Sequence, residues 1–70
     1  MSKIERLEHD YHVSIAQTYT HDYTRNWTYA TFSVYTADGD LWGTFKGLRA
    51  LTEELEEWGE CFARIAQSVA

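Results

Sequence analysis

The side chains able to do chemistry are few and scattered. His9 and His12 stand one helical turn apart with Asp10 between them, and His21-Asp22 adds a second pair of metal-ligand types. Metal sites need three or four converging ligands, and no further cluster completes either pair, so no metal and no cofactor are expected. Cys61 is the one thiol; it falls just off an apolar seam and reads as a small packing residue. No glycine-rich phosphate loop occurs. The serines, threonines and carboxylates single out no nucleophile–base–acid set, so the chain is expected not to be an enzyme.

Recognition chemistry is better represented. In "LTEELEEWGECFARIAQSV", Glu53, Glu56, Glu57 and Glu60 recur at i, i+3, i+4 and i+7, with Glu54 beside them. On a helix this is an acidic stripe, read either as a solvated face or as a strip matching a basic groove. Glu53/Glu57 and Glu56/Glu60 are like-charge pairs four apart, which repel on an isolated helix. A second candidate surface is aromatic: Trp27, Tyr29, Thr31, Ser33, Tyr35 and Trp42, joined by Thr18 and Thr20. Such rings either pair across strands to stabilise a small sheet or form a contact face.

Both surfaces depend on the elements that carry them. Ile4, Leu7 and Tyr11, spaced three and four apart, suit a short N-terminal helix. Period-two alternation follows through Val13, Ile15 and Tyr19, then through "WTYATFSVYT" and "LWGTF", predicting three strands. Asp38-Gly39 predicts a two-residue type I′ turn. That turn sets Thr36 opposite Leu41, Tyr35 opposite Trp42, Val34 opposite Gly43 and Phe32 opposite Phe45. Arg25-Asn26, or a three-residue turn, forms the first tip and sets Tyr19 opposite Phe32. Val13, Ile15, Tyr19, Ala30, Phe32, Val34, Leu41 and Phe45 then share one face, an assignment that a one-residue slip would invert.

Leu48, Leu51, Leu55, Trp58, Phe62, Ile65 and Val69 form a continuous 3-4 seam that predicts one long helix. Thr52 is its expected N-cap, with Leu48 to Leu51 a preceding turn. Gly59 costs about 1 kcal/mol in a helix interior and would permit close packing on the sheet. The seam could serve a coiled coil, but the sheet needs a cover. The expected fold is α+β: a three-stranded antiparallel β-meander packed on one long C-terminal α-helix, with a short N-terminal helix (α-βββ-α or βββ-α), in a single domain over 1–70. One helix covers one face of a sheet, which leaves the aromatic face open.

Charge narrows the partners. Eleven acidic and six basic residues give −5. This disfavours phosphate contact with nucleic acid and adhesion to anionic membranes, and favours a basic protein surface. A single cysteine excludes an intramolecular disulfide and suits a reducing compartment. No apolar run approaches the ~20 residues of a membrane span, and "MSKIERLEHD" has no signal-like apolar core. A cytoplasmic location is expected, in the host if the gene is viral.

The helix-βββ-helix order resembles the layout of double-stranded-RNA-binding domains. Where those carry a lysine-rich motif this chain reads "TEELEEWGE", so charge is inverted where phosphate would lie. The whole profile is similar to small phage-encoded anti-CRISPR and other host-defence inhibitor proteins: short, acidic, sheet plus helix, without a recognisable active site. That resemblance implies an inhibitor of a host nucleic-acid-handling complex, a protein or ribonucleoprotein with a basic surface. Trp27, Tyr29, Tyr35 and Trp42 would be its anchors, and Glu53, Glu56, Glu57 and Glu60 would meet basic residues. The alternative is a homodimeric structural or regulatory protein that pairs through its open sheet face.

Overall fold

The computed structural model describes residues 2–69. The elements are α1 (Lys3–Tyr11), β1 (Ser14–Asp22), β2 (Trp27–Tyr35), β3 (Leu41–Lys46), α2 (Gly47–Glu57) and α3 (Gly59–Val69). The sheet is antiparallel with order β1-β2-β3. The Ser2 hydroxyl accepts the Glu5 N–H at 3.2 Å and caps α1. His12, at φ 58°, ends it in the left-handed region, where a single residue reverses the chain into β1.

All three helices pack on one side of the sheet. Leu51, Leu55 and Phe62 are fully buried against Val34 and Phe32, with Leu7 and Val13 completing the core. The 3-4 seam is thus buried at Leu51, Leu55 and Phe62, whereas its residues Trp58 and Val69 are 43% and 53% exposed. It does not run through a single helix. Trp58 leaves helical geometry at φ −109° and ψ 16°, splitting the expected long helix into α2 and α3. The Trp58 N–H still donates to the Glu54 carbonyl and its own carbonyl still accepts the Phe62 N–H, each at 3.1 Å, so hydrogen bonding continues across the break. Gly59 follows, and its role differs from the one expected. A Cβ there would lie 3.2 Å from Cε1 of Tyr11; the close approach is to α1 and not to the sheet.

The start of α2 also differs. Gly47, at φ 82°, turns β3 directly into helix with Lys46 at the N-cap position. Leu48 to Leu51 is thus helical, and Thr52 lies inside the helix, its hydroxyl donating to the Leu48 carbonyl at 2.8 Å in the i−4 pattern common for threonine.

Both turns are longer than expected. Tyr23–Asn26 forms a four-residue loop, fastened by the Asp22 carboxylate accepting the Thr24 and Arg25 N–H groups. Tyr19 therefore faces Ala30, not Phe32. This slip of two preserves the faces. The second turn has a larger consequence. Thr36 N–H donates to the Asp40 carbonyl, and Gly39, at φ 92°, donates to the Thr36 carbonyl. That is a three-residue loop over Ala37–Gly39, which moves the adjoining pairs by one, so Tyr35 meets Leu41. Val34 still meets Gly43, and Phe32 meets Phe45. Trp42 is left as the extra residue of a β-bulge.

Two predictions follow from these contacts. Gly59→Ala should couple to Tyr11→Ala in a double-mutant cycle: removing the ring relieves the added Cβ, with a coupling on the order of 1 kcal/mol read by urea unfolding. At the second turn, the Thr36 hydroxyl donates to Asp38 and holds its carboxyl below the ordinary value of 3.8. A lowered folded-state pKa contributes stability above the unfolded value that is lost as pH falls through the folded one. Thr36→Val should therefore flatten the decline in urea midpoint below about pH 4.

Candidate binding surface

The sheet face away from the helices is bare. From β2 it presents Trp27, Tyr29, Thr31, Ser33 and Tyr35, alternating with the buried Phe32 and Val34. Trp27 is 50% exposed and Tyr35 36%. The centre is a ladder of small hydroxyl side chains: Thr20 pairs with Thr31, and Ser33 with Thr44, each at 3.3 Å. Rings stand at both ends, Trp27 against Tyr29 at one (centroids 5.7 Å apart) and Tyr35 at the other.

Trp42 does not belong to this face. The bulge turns it to the helix side, where its ring stacks edge-on to Phe62 at 4.7 Å and lies 5.8 Å from Trp58. Its indole N–H donates to the Glu54 carboxylate at 2.9 Å, satisfying the polar edge of a partly buried ring. Leu41 takes the place expected of Trp42 and is 58% exposed beside Tyr35. The cross-strand pair on the open face is therefore Tyr35/Leu41. Tyr19, expected in the core, is also outside at 72% exposure. Strand β3 pairs only as far as Thr31, so Tyr19–Asp22 and Trp27–Ala30 project as a two-stranded arm beyond it.

At the arm's root, Asp22, Arg25, Trp27, Tyr29, Lys46 and Gly47 line an open depression of about 420 Å³. Lys46 Nζ sits 5.4 Å above the Tyr29 ring, a cation–π contact. The aromatic end of the open face thus gathers two cations, Arg25 and Lys46, with the Asp22 carboxylate beside them.

The acidic stripe lies elsewhere. Leu51 and Leu55 point into the core; at about 100° per residue, Glu53 and Glu57 point out on the far side of α2. Glu53, Glu56, Glu57 and Glu60 are all exposed. Arg49 Nε reaches Glu53 at 3.3 Å; among the described residues the other three have no cationic partner. Glu54 is set apart from them by its bond to Trp42. The stripe and the open sheet face lie on opposite sides of the body, with the core of Leu51, Leu55 and Val34 between them.

The remaining candidates do not assemble. Among the described residues no three metal-ligand side chains converge. His9 lies 3.6 Å from Asp10, and His21 Nδ1 contacts the Thr28 hydroxyl at 3.0 Å. Cys61 is partly buried on α3. No described helix is long and apolar enough to cross a membrane. The chain matches no protein-family model, and neither a curated protein nor a solved structure aligns with it significantly.

The two tryptophans should respond differently to truncation. Trp42→Ala removes packing against Phe62 and Trp58 and should destabilise by about 3 kcal/mol. Trp27→Ala should change stability by less than about 1 kcal/mol. Chemical unfolding of the two variants measures this directly.

Proposed function

We propose that the protein is a non-enzymatic binding module that inhibits a partner by occupying a basic cleft. The observation carrying this reading is a sheet face with Trp27, Tyr35 and Leu41 exposed, and Tyr29 half-buried, beside hydroxyl-lined backbone. Tryptophan and tyrosine are enriched at interface hot spots because each brings large area and a polar handle at small entropic cost. The stripe of Glu53, Glu56, Glu57 and Glu60 supplies the charge that selects a lysine- and arginine-rich wall.

The opposite placement of these surfaces shapes the proposal. They face opposite directions, and surface charges are screened over about 8 Å at physiological salt, so the carboxylates act mainly on their own side of the molecule. Each must meet its own wall. A cleft that closes on both sides satisfies this, and complexes that hold nucleic acid in basic channels provide such clefts. The finer reading is therefore an inhibitor of a host nucleic-acid-handling defence complex, of the anti-CRISPR kind, acting in the cytoplasm of the host.

Expression in a bacterium carrying an active CRISPR system tests it. The wild type should restore plating of a targeted phage and should co-purify with the effector. Trp27→Ser/Tyr35→Ser, and separately glutamine at all four stripe positions, should each weaken capture on the order of 30-fold, the scale of a hot-spot loss. Unchanged capture in both variants, or an absence of both protection and capture across several such systems, would contradict the proposal.

A further inference from the structure

The two edges of the sheet are treated differently. Strand β3 is short, carries the bulge at Trp42, a glycine at Gly43 and a lysine at Lys46. These are the devices by which proteins blunt a free edge. Strand β1 has none of them. It runs nine residues in unbroken register with β2, has no lysine, proline, glycine or bulge, and its one charge is the terminal Asp22.

The free part of this edge can be located. The Val13 N–H donates to the Glu8 carbonyl at 3.2 Å, and the Ile15 N–H to the Glu8 carboxylate at 2.8 Å. These donors therefore point away from β2. Backbone groups alternate sides along a strand, so Gln17, Tyr19 and His21 also turn their N–H and C=O outward, with no strand paired to them among the described residues. All three are exposed. Glu8 thus closes the edge up to Ile15 and leaves a segment centred on Tyr19.

We infer that this segment pairs with its counterpart in a second copy, antiparallel about Tyr19, joining two sheets edge to edge. In this register Gln17 faces His21, Thr18 faces Thr20, and Tyr19 faces itself across the two-fold axis. The three outward residues of each copy make about six backbone hydrogen bonds, two for each bonded pair. Charge selects the same arrangement. Copies carrying −5 repel in most orientations, but here Asp22 lies opposite Ala16. The pairing leaves the open face uncovered in both copies, so it does not depend on what docks there.

Sedimentation of the full chain from about 1 µM to 1 mM, the range of weak to moderate affinities, should show a monomer–dimer equilibrium. Tyr19→Lys places two ammonium groups face to face on the axis and should raise the dissociation constant at least about tenfold. A second measurement fixes the register in a Cys61→Ser background. Tyr19→Cys should oxidise to a disulfide dimer. His21→Cys should not, because its two copies lie about 13 Å apart at ~3.3 Å per residue, beyond the ~7 Å that a disulfide can bridge. A wild type monomeric throughout, a Tyr19→Lys dimer as tight as wild type, or no cross-link at Tyr19 would overturn the inference.

Discussion

Val34 and Phe32 meet Leu51, Leu55 and Phe62 across a dry contact, and the rest of the molecule is arranged around it. Each such side chain contributes about 1.5–3 kcal/mol on burial, against the roughly 5–15 kcal/mol net stability usual for a domain. So few fully buried residues leave little margin. The chain commits Phe32 and Val34 to one side of β2, and no described element packs on the other. The face opposite this core carries Trp27 and Tyr35, 50% and 36% exposed.

The bulge at Trp42 is the adjustment that makes the one-sided core fit. Trp42 of β3 meets Trp58, at the break between α2 and α3, and Phe62 of α3. Turned inward there, the indole packs against Phe62 and Trp58, and Glu54 answers its N–H. The same event moves Leu41 to solvent beside Tyr35. One extra residue in a turn thereby determines the chemistry at one end of the open face.

Much of this was legible in the sequence, for identifiable reasons. The α+β plan, the three antiparallel strands and the core residues of β2 follow from period-two and 3-4 spacing. Trp27, Tyr29 and Tyr35 lie on the bare face because β2 is regular throughout. Trp42 and Leu41 were exchanged because Asp38-Gly39 suits a two-residue turn and a three-residue loop alike, and a single step inverts a strand's faces. The helix break was hidden by a seam that stays continuous across Gly59. The approach of Tyr11 that requires a glycine there is a tertiary contact, invisible to periodicity. The gathering of Arg25, Lys46 and Asp22 around Trp27 and Tyr29, and the separation of the acidic stripe from the rings, are likewise products of packing.

The central claim is that the helices cover one face only, with Trp42 turned under them and Trp27 and Tyr35 left outside. Hydroxyl-radical footprinting of the dilute protein, read residue by residue by mass spectrometry, addresses it most directly. The account predicts rapid oxidation of Trp27 and Tyr35 with Trp42 clearly slower. Protection of Trp27 and Tyr35, or oxidation of Trp42 as fast as theirs, would contradict it.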